Sequence, residues 1–169
     1  MLEIKTKQKD TRLLKIKKID VHCGIGRYKT SPEIIEFFYE QLSIITGQKP
    51  RMTYAKRPIA GFNLREKMPL GFYVTLRKQR MISFYNRLIT VILPQTYNFQ
   101  GLKIDQFDGL GNLTLAVKSI FNFHECNSKK FYEYTKIGLN ISIVTSFKTD
   151  DEAIQYLNKY GMLLKKKGL

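Results

Sequence analysis

The residues of this chain that could do chemistry are few, and most of them are cations. Asp20, His22, Asp105 and Asp108 have the side-chain types from which a nuclease-like centre is drawn. Such a centre needs carboxylates converging on one ion, and the spacing here fixes no such geometry. Asp108 stands in a Phe-Asp-Gly turn, where a carboxylate hydrogen-bonds backbone amides. His22, Cys23, His124 and Cys126 suggest zinc by type. His22 and Cys23 are adjacent on a strand-like segment, however, so they point to opposite faces and do not readily share an ion. Gly24-Ile25-Gly26 has neither the third glycine of a dinucleotide loop nor the Gly-Lys-Ser/Thr of a phosphate loop. It reads as a tight turn. The sequence predicts no enzyme, no cofactor and no metal; a ribonuclease-like RNA-processing activity is the weakest of the alternatives.

What remains is electrostatic. Between Lys49 and Arg87 the chain carries ten cations (Lys49, Arg51, Lys56, Arg57, Arg65, Lys67, Arg77, Lys78, Arg80 and Arg87) and a single acid, Glu66. So one-sided a segment repels itself unless something polyanionic lies against it. Phe62, Phe72, Val74 and Leu76 sit among the charges, which excludes a disordered tail. The whole chain sets 29 Lys and Arg against 14 Asp and Glu, a net charge of +15. No apolar run approaches the ~20 residues that span a bilayer, so phosphates are the expected counter-charge.

These cations need a scaffold. At 169 residues, 43% hydrophobic, the chain is long enough for one domain that buries roughly two thirds of its unfolded surface. Residues 1–17 read as a polar, basic arm, and 18–169 as a single α+β unit. Ile19, Val21 and Cys23 alternate with Lys18, Asp20 and His22, as a half-buried strand does. Ser31-Pro32-Glu33 predicts a capped helix start, with Ile34, Ile35, Phe38, Leu42 and Ile45 on one stripe and a stop at Gly47. Met52 and Tyr54 predict a short strand, followed by a long loop over 56–69. Leu70, Phe72, Val74 and Leu76 alternate as a third strand. Met81 to Ile92 recur at helical spacing, with Pro94 ending that helix. Residues 95–111 read as loop. Two more strands carry Leu113, Leu115 and Val117, then Leu139, Ile141 and Ile143. Thr149-Asp150-Asp151-Glu152 predicts a capping box opening a last helix to Gly161.

The alternation gives an antiparallel-rich sheet two unlike faces. One is aliphatic and can be covered by three amphipathic helices. The other collects Lys18, Asp20 and His22; Arg51 and Thr53; Tyr73, Thr75 and Arg77; Asn112, Thr114 and Lys118; Asn140 and Ser142. A solvated face mixes Lys with Glu, whereas this one has Asp20 as its single acid. The shallow minor groove of RNA displays phosphates and 2′-hydroxyls that Ser, Thr, Asn and Arg can meet without reading sequence. Recognition of RNA by shape is the expected role; a basic scaffold that bridges proteins and meets RNA incidentally is the alternative.

Several motifs then agree with one family. Ile45-Thr46-Gly47-Gln48-Lys49-Pro50, Ala60-Gly61-Phe62, Pro69-Leu70-Gly71 and Val74-Thr75-Leu76-Arg77 occur in order. Phe107-Asp108-Gly109, Gly111-Asn112 and Ser146-Phe147-Lys148-Thr149-Asp150-Asp151-Glu152-Ala153 follow. The set resembles the bacterial-type ribosomal protein five of the large subunit, the universal 5S rRNA-binding family, over roughly residues 18–160. The resemblance implies a sheet gripping 5S rRNA in the central protuberance, beside large-subunit rRNA and other ribosomal proteins. It implies RNA contacts at the positions of Gln48, Thr75 and Arg77, with Lys49 beside them. With the face residues, the expected 5S set is Lys18, His22, Gln48, Lys49, Arg51, Thr53, Tyr73, Thr75, Arg77, Asn112 and Thr114. His22 stands where the family typically has asparagine, and it can still donate to a phosphate or 2′-hydroxyl. The 56–69 loop aligns with the family's long loop toward the elbow of the P-site tRNA. There Lys56, Arg57, Arg65 and Lys67 would meet the tRNA backbone, with Phe62 anchoring or stacking. The resemblance also implies an intersubunit bridge with small-subunit protein thirteen.

Two cysteines far apart suit a reducing compartment. The amino terminus has no signal-peptide core, and Glu3 and Asp10 argue against a transit peptide. Alanine is scarce, while Lys, Ile, Asn, Tyr and Phe are common, as in an AT-rich coding genome. Bacterial members of the family begin with an extra helix, for which residues 1–17 leave little room. These features together predict a protein encoded and made inside a mitochondrion, working in the matrix ribosome; a bacterial cytoplasmic ribosome is the alternative.

Overall fold

The computed structural model describes residues 15–96, 99–126 and 137–165. Its central strands are β1 (Ile16–Gly24), β2 (Arg51–Tyr54), β3 (Pro69–Leu76), β5 (Leu113–Val117) and β6 (Leu139–Thr145). They form a five-stranded antiparallel sheet in the order β2-β3-β1-β6-β5. Period-two alternation places Ile19, Val21, Cys23, Phe72, Val74, Leu76, Leu113, Leu115, Ile141 and Ile143 on one side, all buried. β1 starts earlier than its alternation suggests, at Ile16. A register shift between Ile16 and Lys18 inserts one extra residue, so Ile16 still faces the core out of phase with Ile19.

Helices α1 (Pro32–Thr46), α2 (Lys78–Arg87) and α4 (Asp150–Lys159) supply the opposing apolar layer. Phe38, Leu42 and Ile45 of α1, Phe84 of α2 and Leu157 of α4 join the sheet's inner residues in one core. The α+β architecture, with its helical layer on one side, is as the sequence predicts. α1 has Pro32 in its first turn and ends at Gly47 in the left-handed conformation, φ 63°. Ser31 occupies the N-cap position, yet its side chain makes no capping bond.

Three local expectations are corrected. Pro94 does not end the second helix: a π turn (Leu88–Ile92) follows α2 and leads into α3 (Leu93–Gln95). The Leu93 amide reaches the Leu88 carbonyl, and the Thr96 hydroxyl donates to the Ile92 carbonyl at 3.0 Å. The widened turn accommodates a proline that lacks an N–H, and the Thr96 hydroxyl closes the helix end one residue beyond it. Residues 95–111 are not all loop, because β4 (Leu102–Lys103) pairs in parallel with β7 (Leu164–Lys165). Strands of two residues are too short to leave a periodic signal. The capping box also fails to close, since Thr149 makes no side-chain cap. Asp150 instead accepts hydrogen bonds from the Gly109 and Gly111 amides, at 3.1 and 2.8 Å, tying α4 to the turn before β5.

Candidate nucleic-acid interface

On the side opposite the helices, register turns the alternation into rows. Arg51 pairs with Tyr73, Tyr73 with His22, His22 with Asn140, and Asn140 with Ala116, so one row crosses the sheet, polar on every strand but β5. Thr75, Asp20, Ser142 and Thr114 form the next row. Arg51, His22, Thr114 and Asn140 are exposed, and Tyr73, Thr75 and Ser142 half-buried. Arg77 lies exposed just beyond β3, and Lys118 just beyond β5. The face has no bulky apolar side chain along these rows other than the rings of His22 and Tyr73, whose centroids are 4.7 Å apart.

Asp20 organises the centre of this surface. It is 7% exposed, and its carboxylate accepts from the Tyr73 hydroxyl at 3.0 Å and the Thr75 hydroxyl at 2.7 Å. The Lys18 ammonium pairs with its other oxygen at 2.6 Å. Burial pushes the Asp20 carboxyl upward, but the hydrogen bonds from Lys18, Thr75 and Tyr73 outweigh it and hold the group below the ordinary value. Asp20 is the odd acid on a basic face, and strand register makes it a shared acceptor.

Other expected contact residues are placed less uniformly. Thr53 donates its hydroxyl proton to the Gly71 carbonyl at 3.0 Å. Gly71 itself is required there: a Cβ would come within 2.5 Å of the Cys23 carbonyl oxygen. Gln48 and Lys49 follow α1 in the turn into β2, Lys49 exposed and Gln48 half-buried. Asn112 has internal partners at both ends of its amide, donating to Asp108 at 2.7 Å and accepting from the Thr145 amide at 3.1 Å. It fastens the turn before β5.

The loop after β2 is a built finger. At its base the Ala55 amide donates to Met68 and the Lys67 amide to Ala55, at 2.9 and 3.0 Å. Near its tip Ile59 and Leu64 exchange two backbone bonds, enclosing a 3₁₀ turn at Ala60–Phe62. Lys29, from the segment after β1, donates to the Phe62 and Asn63 carbonyls at 2.8 and 2.7 Å. No sequence signal linked residues 33 or more apart in this way. Lys56, Arg57, Arg65 and Lys67 are all exposed, and Phe62 is 72% exposed, which leaves its ring available for stacking and excludes it as an anchor in the protein's own core.

The residues considered for catalysis or metal do not converge. His22 is exposed while Cys23 is buried on the other face, and burial pushes both cysteine thiols up to about 12. Among the described residues no group of three His, Cys, Asp or Glu gathers. Asp108 accepts from Asn112 and from the Leu110 and Asn112 amides, as a turn carboxylate should, and the Asn112 side-chain bond leads the effects that hold its pKa low. No described helix is long and apolar enough to cross a membrane.

Residues 11–65 match the family described as Ribosomal protein L5, and residues 69–164 match the C-terminus of the same ribosomal family. The chain is 43% identical over 148 residues to Large ribosomal subunit protein uL5 of Rhodopirellula baltica, covering 88% of this chain and 74% of that relative. It is likewise 43% identical over 154 residues to Large ribosomal subunit protein uL5c of Pleurastrum terricola, covering 91% of this chain and 82% of the relative. The chain therefore belongs to the L5 family of large-subunit ribosomal proteins, and it is a structural constituent of the ribosome rather than an enzyme.

Proposed function

We propose that the polar face of the five-stranded sheet binds 5S rRNA in the central protuberance, alongside large-subunit rRNA, and that the 55–68 finger contacts P-site tRNA. The observation that carries the reading is the row from Arg51 through Tyr73 and His22 to Asn140, on the face opposite the helices. Cations at its margins, Lys18, Arg51, Arg77 and Lys118, meet phosphates, while the hydroxyl and amide groups between them meet ribose. The finger presents four exposed cations and one exposed ring on a tethered backbone, a form suited to a nucleic-acid backbone and a stackable base. Contacts with small-subunit protein thirteen and with neighbouring central-protuberance proteins belong to the same reading and rest on family membership. We further place the ribosome in a mitochondrion, because the scarcity of alanine and abundance of Lys, Ile, Asn, Tyr and Phe fit an AT-rich organelle genome. The similarity to a bacterial relative supports a bacterial ribosome as the second reading.

The test is a binding titration with a 5S rRNA transcript. Arg77→Ala should weaken binding by about 1–3 kcal/mol, the worth of a charge-assisted bond, without unfolding the protein. Deleting residues 59–66 should leave 5S rRNA binding intact and impair tRNA contact. Unchanged affinity in Arg77→Ala and in a second variant, Arg51→Ala, would mean that another surface binds the RNA.

A further inference from the structure

We infer that Asp20 is a specificity-determining residue that makes the centre of the sheet face a hydrogen-bond acceptor, selecting the donor groups of an RNA minor groove. The inference rests on the sheet face being the RNA-binding surface. Three oxygens meet there: Asp20 Oδ1, Tyr73 Oη and Thr75 Oγ1, at mutual distances of 3.0, 2.7 and 2.5 Å. An ionised carboxylate brings no proton, so the three oxygens share two, one from each hydroxyl. Both protons lie within the triangle, and only lone pairs remain for anything arriving from outside. Tyr73 and Thr75 are half-buried on the sheet face rather than sealed in the core. Lys18 pairs with the far oxygen, Asp20 Oδ2, at 2.6 Å and offsets the charge without entering the triangle.

A hydroxyl free to rotate serves phosphate oxygens and ribose hydroxyls alike. These two cannot turn outward without giving up the carboxylate, and a phosphate oxygen set against them would find lone pair facing lone pair. The partner must donate. In an RNA minor groove the donors are the ribose 2′-hydroxyl and the guanine N2 amine, and a DNA backbone has no counterpart to the first. The cations at the margins supply the phosphate contacts that the centre refuses. Asp20 therefore divides the surface into a phosphate-binding rim and a ribose- or guanine-reading centre.

The 169-residue chain is titrated with three 5S rRNA transcripts: unmodified, 2′-fluoro at the pyrimidines, and inosine in place of guanosine. The fluoro transcript removes hydroxyl donors while retaining an A-form sugar, and the inosine transcript removes the N2 amine. The wild-type protein should lose about tenfold in affinity on at least one modified transcript, and which one identifies the donor. Tyr73→Phe combined with Thr75→Val removes the acceptors at nearly constant shape, so this variant should bind the unmodified and that modified transcript within about twofold of each other. Asp20→Asn introduces amide protons and frees a hydroxyl to donate outward, and should shrink the discrimination in the same direction. Equal sensitivity in wild type and in the double variant, or none in wild type, overturns the inference. Should Arg77→Ala still weaken binding in that case, the sheet face stands as the RNA surface and only the acceptor assignment falls.

Discussion

The sheet face and the finger are both basic surfaces, but the chain builds them in opposite ways. On the face, strands fix the register, and the central side chains hold one another: Tyr73 and Thr75 on Asp20, Thr114 against Ser142 at 3.1 Å. On the finger the backbone is held, by the Ala55–Met68 base, the Ile59–Leu64 tip and the Lys29 tether, while the cations themselves stay exposed. An ordered hydroxyl array suits a partner of fixed shape, since its entropy of ordering has already been lost in folding. Exposed long cations on a tethered hairpin suit a charged backbone whose position varies. The difference teaches that net charge alone does not distinguish two kinds of basic surface; what holds the side chains does.

Salt should separate the two most widely. If about six cations meet phosphates in the 5S complex, its affinity should fall by roughly three orders of magnitude between low and physiological salt. The fraction that survives high salt should be larger for the face than for finger-dependent tRNA binding. Filter binding over a salt series measures both slopes, and a flat response for either would break the assignment of that surface.

A smaller effect is expected at the tether. Lys29→Ala removes two hydrogen bonds to the finger tip from a side chain that is only half-buried. Finger-dependent tRNA contact should weaken by about 1 kcal/mol, with 5S rRNA binding unchanged. Equal losses on both RNAs would show that the two surfaces are not independent.

Backbone strain offers a still finer distinction. Lys78, directly after the exposed Arg77, has φ 52°, where a side chain is unfavourable and glycine is not. Lys78→Gly should raise thermal stability by about 1 kcal/mol if relief of the strain exceeds the entropy that glycine adds to the unfolded chain. The finger's own left-handed residues, Asn63 and Lys67, should be unaffected by that change.

Acid should act on the face through Asp20. Its folded-state pKa lies below the ordinary carboxylate value, so its stabilising contribution is complete above about pH 4 and disappears as pH falls through the folded-state value. Asp20→Asn should flatten that part of the acid-unfolding curve. An unchanged curve would remove the carboxylate from the account of the face.

Much of this was legible in the sequence because strong periodicities survive folding. The alternation of Ile19, Val21 and Cys23, and of Phe72, Val74 and Leu76, placed both faces correctly. The motifs around Gly47, Gly71 and Asp108 pointed to the family that the comparisons show. What stayed hidden depended on contacts between distant residues. The Asp20 triangle joins positions 53 and 55 residues apart, and Asp150 reaches amides 39 and 41 residues away. The π turn before Pro94 escaped because helical spacing reads the same on either side of one extra residue. The basic arm expected at 1–17 overlaps β1 at Ile16 and Lys17, and otherwise lies almost wholly outside the described residues.

The most direct measurement is a cryo-electron microscopy map of the native large subunit that contains this chain. The account predicts 5S rRNA across the sheet face, with phosphates near Arg51 and Arg77 and a minor groove within hydrogen-bond distance of Tyr73 and Thr75. A face covered by a neighbouring protein, or standing clear of nucleotides, would contradict it.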